Sequence, residues 1–327
     1  MKGLTGKQRT DKLLALVAKE GGDLTYYTSQ GSAKAEDLVG AFGDAFPDVN
    51  VALYRASNDT ILPRMAEEAK AGFHGADVVH VNGLSMTSLQ DDGLISKYTS
   101  PLADQLVPGA ARPDYMLDSF NSFVIARNTK LVPASEAPKS WEELADPKWK
   151  GKLGIEAGDV DWYKTLHDYF VKDEGKSEQE ADRIFEGILR NAVLVKGHTA
   201  MAQLMAAGEL PLSVNYASSI DKLKQDGAPL EWRPPVPPII QQPEAIAPTA
   251  DPQHPAAALL FIDWVLGPEG QKSLVANGNA SVRPELASAP AAKAILIDTD
   301  SLSKVEKEWD DRWEKLLRLG KVAPSSG

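Results

Sequence analysis

Four short polar stretches of this sequence share one arrangement, in which an apolar run is followed at once by a helix-like segment. They read YYTSQGS at 26–32, IEAGDVDWYK at 155–164, VKGHTAMAQ at 195–203 and VNYASSIDK at 214–222. The start of a helix leaves backbone N–H groups without partners and carries about half a positive charge, so each stretch is suited to hold an anion. At the carboxyl edges of parallel sheets, such stretches form ligand sites.

The candidate ligand-binding residues are polar and aromatic side chains of these stretches. They are Tyr27, Ser29, Gln30, Gly31, Ser32, Asp161, Trp162, Tyr163, His198, Thr199 and Tyr216. Gly31 lacks a Cβ, which lets a ligand approach the backbone, and the serine hydroxyls donate hydrogen bonds. Each serine and threonine also has the simpler role of a helix N-cap, and Trp162 is either a core residue or a platform for a ligand.

These stretches belong to a regular alternation of strand-like and helical patterns. The predicted strands cover 24–28, 49–55, 76–81, 151–157, 192–197 and 210–216. The predicted helices cover 32–46, 58–72, 161–172, 177–190, 199–207 and 217–226. This order predicts an α/β fold with mixed, mostly parallel sheets and helices on both faces.

The length of 327 residues favours two lobes over a single core. Two extended segments, at 119–129 and 229–248, are interpreted as crossings between the lobes, although the proline-rich second one also fits a surface linker. We expect a discontinuous first lobe and a second lobe, flanked by an N-terminal helix and a disordered tail. The predicted bounds are 22–120 with 230–280 for lobe 1, 121–229 with 281–320 for lobe 2, 1–21 for the helix and 321–327 for the tail.

Composition excludes several classes of function. With 46 acidic and 35 basic residues the net charge is -11, which repels nucleic-acid phosphates. The chain has no cysteine, and it contains no GxSxG, HExxH, Walker A or GxGxxG motif. Its five histidines are scattered, without a helical ligand pair, and we expect most of them at the surface or at helix caps. No apolar run is long enough to span a membrane, so the chain is expected to be cytosolic or to have lost a leader.

Three longer motifs carry a resemblance to a known family. They are LTYYTSQGS at 24–32, SWEELADPKWKGKLGI at 140–155, and AAALLFIDWVLGPEGQKSLVANG at 256–278 with SVRP after it. Together they make the chain similar to type II solute-binding proteins of bacterial ABC importers, especially the ferric-iron-binding branch. The resemblance covers about residues 21–284 and implies a two-lobed periplasmic-binding-protein fold with its ligand cleft between the lobes.

The resemblance also implies a function of capture and not of catalysis. Such a protein works outside the cytoplasmic membrane, periplasmic or tethered, as a monomer that delivers a small ligand to a membrane permease. A removed leader then explains the N-terminus. An enzyme of this fold of the porphobilinogen-polymerising kind needs a cysteine, and a transcription-factor effector domain needs a helix-turn-helix that about 22 N-terminal residues do not hold.

Two ligand classes remain open at this point. Ferric-binding relatives carry adjacent tyrosines after the strand that here reads SVNYASS, where Tyr216 matches the first and Ala217 replaces the second. Tyr27, Tyr163 and Tyr216 would be the phenolate ligands of Fe(III), with carbonate as a synergistic anion and no obligatory cofactor. The alternative ligand is a small organic anion, namely a phosphonate, phosphate ester or carboxylate.

Overall fold

The computed structural model describes residues 3–286 and 293–322. The elements of the first half are α1 Gly6–Glu20, β1 Asp23–Thr28, α2 Ser32–Ala45, β2 Asn50–Arg55, α3 Asn58–Lys70, β3 Val78–Asn82, α4 Gly83–Asp91, β4 Met116–Asn128, β5 Leu153–Glu156 and α5 Val160–Asp168. They are followed by α6 Glu178–Asn191, β6 Ala192–Val195, α7 His198–Ala207, β7 Leu212–Tyr216, α8 Ala217–Gln225, β8 Leu230–Glu231 and β9 Ile239–Pro248. The last elements are α9 Pro255–Leu266, α10 Pro268–Ala276, β10 Ala280–Ser281, β11 Ala294–Leu296, α11 Thr299–Ser303, α12 Glu306–Leu317 and β12 Lys321–Val322.

The described residues fall into two compact units. Unit 1 lies within Met1–Phe120 and Pro243–Ser288, and unit 2 lies within Asn121–Gln242 and Ala289–Gly327. The chain passes from one unit to the other inside β4 and again inside β9. Both segments were expected to be extended because their apolar residues alternate or are interrupted by proline, and both form strands.

Unit 1 contains a mixed sheet in the order β9-β3-β1-β2. β1 pairs in parallel with β2 and β3, while β9 runs antiparallel to β3. The apolar side chains of β1 are covered by helices, and the Tyr26 ring lies 4.8 Å from that of Phe261 on α9. The polar stretch before α2 follows directly after the carboxyl end of β1.

Unit 2 contains the sheet order β12-β6-β5-β7-β4. β5 pairs in parallel with both β6 and β7, and β4 runs antiparallel to β7. Helices α5 and α6 contribute buried residues such as Trp162, Phe185 and Ile188 to the core of this unit. The predicted α/β class, with mixed, mostly parallel strands and flanking helices, is confirmed.

The boundary between the units in the proline-rich segment lies after Gln242 and not at the predicted position 229/230. Trp232 Nε1 donates to Asp221 Oδ1 at 2.9 Å, and Arg233 forms two hydrogen bonds of 2.8 Å with the same carboxylate. Further along, the Pro238 carbonyl accepts a hydrogen bond of 2.9 Å from Trp141 Nε1. These partners all belong to unit 2, so they hold the segment there.

The other chain ends also differ from the predicted bounds. Helix α1 is part of unit 1, where Leu13 and Val17 are buried and Arg9 Nε donates to Asp263 Oδ2 at 2.6 Å. Residues 281–286 stay with unit 1, since Arg283 donates to the Leu266 carbonyl at 3.2 Å. Of the predicted tail, Lys321–Val322 forms β12, and residues 323–327 lie outside the described residues. Within the described residues, no helix combines the length and the apolar character that crossing a membrane requires.

Candidate functional site

Three of the four polar stretches lie at one edge of the unit 2 sheet. Glu156, the last residue of β5, is the parallel partner of Val195 at the end of β6, and β7 pairs with the other side of β5. The loops that follow these strands therefore leave the sheet on the same side. α5, α7 and α8 begin there, as the sequence predicts.

His198 is held at this edge by its position at the start of α7. Gly197 before it has a φ of +91°, which lets the chain turn from β6 into the helix, a conformation that glycine adopts without strain. His198 Nε2 lies 3.0 Å from Asp159 Oδ1, and the His198 carbonyl accepts a hydrogen bond from Asn215 Nδ2. The imidazole ring lies 3.7 Å from the ring of Tyr216, measured between centroids.

Tyr216 is connected to Asp161 through a side chain that the sequence did not single out. Its hydroxyl donates to Gln242 Oε1 at 2.6 Å, and Gln242 Nε2 donates to Asp161 Oδ2 at 2.5 Å. Gln242 is 5% exposed and reaches this place from β9, far along the chain. Nothing in the local pattern QQPEA marks it as a site residue, because only the pairing of distant strands brings it here.

The electrostatics of this edge differ from the anion site that the helix starts predict. Burial raises the pKa of Glu156 to about 7, and the charge of Asp159 adds to this effect. Burial also raises the pKa values of Asp159 and Asp161, and the repulsion of Asp161 raises that of Asp159 further. Three crowded carboxylates around the start of α5 oppose a bound anion and favour a cation. The sequence stretch IEAGDVDWYK contained this signal in its acidic residues, and Glu156 and Asp159 were missed there.

Glu156→Gln should reduce the pH dependence of stability in the chelator-treated chain. A group whose folded pKa is raised stabilises the fold below its unfolded pKa of 4.5, and this contribution is lost as the pH rises through about 7. We expect the melting temperature of the wild-type chain to fall over that window, and the fall to be smaller in Glu156→Gln. The control is Glu209→Gln, an exposed glutamate of the same unit. The same change of melting temperature with pH in the wild type and in Glu156→Gln would contradict the raised pKa of Glu156.

The remaining candidates of unit 2 have other surroundings. Trp162 is fully buried, and Tyr163 is 1% exposed with its ring stacked on Trp313 at a centroid distance of 5.2 Å. Burial raises the pKa of Tyr163 to about 12, which disfavours its phenolate. Thr199 is exposed in the first turn of α7. The structure thus brings Asp161, His198 and Tyr216 together and places Trp162 and Tyr163 in an aromatic core.

In unit 1, the first polar stretch lies between β1 and α2. Gln30 is 7% exposed and its backbone N–H donates to Thr28 Oγ1, while its Oε1 has no hydrogen-bond partner among the described residues. Gly31 is the N-cap of α2 and Ser32 is exposed. Since no side chain caps this helix, the simple N-cap role does not apply to Ser29 or Ser32. Tyr27 points elsewhere, with its hydroxyl donating to Glu68 Oε1 at 3.1 Å.

A buried charged cluster beneath this stretch was not expected, because His80 was grouped with surface and capping histidines. His80 is fully buried, with Nε2 at 3.1 Å from Asp118 Oδ2 and at 3.9 Å from Glu244 Oε2. Burial lowers the pKa of His80, but the two carboxylates outweigh it and the pKa lies above its usual value. Burial lowers the pKa of Lys34, in the first turn of α2, to about 8.

Comparison with known proteins places the chain in a family. Residues 75–312 match the family described as bacterial extracellular solute-binding protein. An uncharacterised protein of Haemophilus influenzae is 24% identical over 326 residues, which cover 92% of each chain. Members of the family are substrate-binding components of ABC transporters and work with a membrane permease.

Two solved structures show the same fold. AfuA from Actinobacillus pleuropneumoniae, with exogenous fructose-6-phosphate bound, has a TM-score of 0.77 at 21% identity, covering 91% of this chain and 99% of AfuA. Iron-bound HitA from Pseudomonas aeruginosa has a TM-score of 0.75 at 18% identity, covering 90% of this chain and 99% of HitA. With the family match extending over most of its length, this chain belongs to the bacterial extracellular solute-binding proteins.

Proposed function

We propose that this chain captures Fe(III), with carbonate as accompanying anion, and delivers it to the membrane permease of an ABC importer. The observation that carries the proposal is the composition of the unit 2 edge, where Tyr216 lies beside His198 and is linked through Gln242 to Asp161. Phenolate and carboxylate oxygens are the ligands that a hard cation prefers. The protein acts as a periplasmic or membrane-tethered monomer in this proposal.

The charge of the edge supports a cation as the transported solute. Burial raises the pKa values of Glu156, Asp159 and Asp161, and repulsion from a neighbouring carboxylate raises those of Glu156 and Asp159 further. A bound cation would relieve both effects. HitA, which has the same fold, binds iron in its solved structure. That iron is a property of HitA, and for this chain Fe(III) is the proposal.

A small organic anion is the second candidate, and unit 1 supplies the observation that favours it. The start of α2 offers N–H groups of its first turn, and Lys34 lies in that turn. Arg55 is fixed beside it, with Nε donating to the Gln30 carbonyl at 2.8 Å. Two cationic side chains near a helix N-terminus suit a phosphonate, a phosphate ester or a carboxylate.

Titration of the purified chain with ferric citrate tests the iron proposal. We expect a visible charge-transfer band from phenolate coordination, and Tyr216→Phe should abolish the band and weaken binding about tenfold or more, as loss of a charged ligand does. Tyr163→Phe is the matched control in the same unit, and it should keep the band because Tyr163 packs in the aromatic core. Tyr27→Phe should keep it too, since the Tyr27 hydroxyl bonds to Glu68.

Native mass spectrometry with metal analysis, on the protein as purified, identifies the bound ligand independently. A mass increment of iron on a monomeric chain would support the proposal. A colourless protein that ignores ferric citrate and carries a phosphorylated or carboxylated compound would exclude Fe(III) and establish the second candidate.

A further inference from the structure

We propose that Glu156, Asp159 and His198 form a transition-metal site at the carboxyl edge of the unit 2 sheet. One potential ligand atom from each of these residues lies within 4.8 Å of the other two. A cation at about 2.0–2.2 Å from each atom fits such a triangle after small side-chain movements. The inference deepens the proposed function and rests on it for the identity of the metal, while the ligand set has a test of its own.

The three residues meet because two parallel strands end side by side. Glu156 ends β5, Asp159 precedes α5, and His198 follows β6 after two residues. The pairing of Glu156 with Val195 sets the two loops against each other. The site thus depends on the register of β5 and β6, and not on spacing within one helix, which explains why the histidine pattern alone predicted no metal site.

An incompletely bonded carboxylate points to a ligand in this cluster. Asp159 is 3% exposed, its Oδ1 lies 3.0 Å from His198 Nε2, and its Oδ2 has no hydrogen-bond partner among the described residues. A buried polar oxygen without a partner has a free-energy cost, which is larger when the oxygen is charged, so such an atom calls for an explanation. A metal ion bound to this oxygen removes the cost.

Neighbouring backbone and side-chain groups hold the ligand residues in place. Glu156 Oε2 accepts a hydrogen bond of 2.6 Å from the N–H of Gly158, and Oε1 accepts one of 3.2 Å from the N–H of Gly197. Asn215 Nδ2 donates to the carbonyl of His198, which fixes the start of α7. Partners of this kind orient the ligands of protein metal sites and contribute to their affinity.

The donor set indicates the class of metal. One imidazole nitrogen and two carboxylates, without thiolates, suit Mn, Fe, Co and Zn ions better than Cu(I) or other thiophilic metals. The neighbouring Asp161 adds a third carboxyl group, and oxygen ligands favour a hard ion such as Fe(III).

Isothermal titration of the chelator-treated full chain with CoCl₂ tests the ligand set, and the visible absorption of bound Co²⁺ is the second readout. We expect the wild-type chain to bind Co²⁺, and Asp159→Asn and His198→Gln to weaken binding by about tenfold or more. The matched controls are His74→Gln and Asp251→Asn, which change the same residue types in a pair of unit 1 whose Nε2–Oδ2 distance is 3.5 Å. These controls should bind Co²⁺ as the wild type does.

Thermal melts separate metal binding from a structural role. Asp159→Asn keeps the size of this buried side chain and removes a carboxyl group beside Asp161, so the metal-free melting temperature should stay the same or rise while the affinity for Co²⁺ falls. Absence of Co²⁺ binding in the wild type, or equal affinity in the wild type and both variants, would overturn the site. The charge-transfer band of Fe(III) with Tyr216 is measured separately. A missing band together with intact Co²⁺ binding would therefore overturn Fe(III) as the solute and would still support the metal site.

Discussion

Trp162→Ala should lower the free energy of unfolding by about 3–5 kcal/mol, the usual loss when a fully buried large aromatic side chain is truncated. Trp162 has no exposed surface, and its ring packs against Trp141 at 5.7 Å, Phe185 at 5.6 Å and Trp313 at 6.4 Å between centroids. Removing it leaves a cavity among three rings that cannot all move to fill it. Denaturant unfolding of the ligand-free chain, followed by circular dichroism, measures the loss.

The control for this prediction is Trp232→Ala, a half-buried tryptophan of the same unit whose ring lies under the Arg233 guanidinium at 4.0 Å. Its removal should cost clearly less, because much of the space can be reached by solvent. The alternative role of Trp162, a platform for the ligand, predicts an unchanged unfolding midpoint together with lost ligand binding. That pair of results would contradict the core assignment.

Asp77→Ala should lower the free energy of unfolding by at least about 3 kcal/mol, because hydrogen bonds to a buried carboxylate are worth about 1.5–3 kcal/mol each. Asp77 is 2% exposed. Its Oδ2 accepts from the Thr25 N–H at 2.8 Å and lies 2.9 Å from His254 Nδ1, and its Oδ1 accepts from the His254 N–H at 2.7 Å. One side chain thereby joins the start of β1 to the residue that precedes α9.

Asp251→Ala is the matched control for Asp77→Ala. Asp251 lies in the same part of unit 1, but its side chain is 78% exposed and its ion pair with His74 spans 3.5 Å. Exposed ion pairs contribute about 0–1 kcal/mol, so this variant should melt close to the wild type. Chemical denaturation measures the free energy of unfolding of both variants. Equal losses in the two variants would show that the Asp77 hydrogen bonds stabilise the fold no more than a surface ion pair does.

Several elements were predictable because their signals are local. The alternation in VNVALYR and the Pro47-Asp48 break before it lead to β2 Asn50–Arg55, and the run of helix formers after Ser57 leads to α3 Asn58–Lys70. Apolar periodicity and turn residues act over a few positions, so they place an element within one or two residues. The same local signals placed the starts of α5, α7 and α8 correctly.

The partners of the site residues were not predictable, since they come from distant parts of the chain. Tyr163 was interpreted as a ligand, yet α12 brings Trp309 and Trp313 against its ring at 5.2 Å. Gln242 reaches Tyr216 from β9, and Asp159 reaches His198 across two neighbouring strands. A one-dimensional pattern records which side chains face a sheet edge, but it does not record which of them meet.

The sequence by itself determined the α/β alternation, the family, and the edge of the unit 2 sheet at which polar side chains collect, because periodicity, turn chemistry and motifs are properties of short segments. The tertiary structure decided the chemistry of that edge. Burial raises the pKa values of Glu156, Asp159 and Asp161, and neighbouring carboxylates raise those of Glu156 and Asp159 further. This crowding turns a set of helix starts, suited in isolation to an anion, into surroundings that favour a cation. Electrostatic energy depends on distances in space and on exclusion of water, and both are set only when the strands pair and the helices cover them.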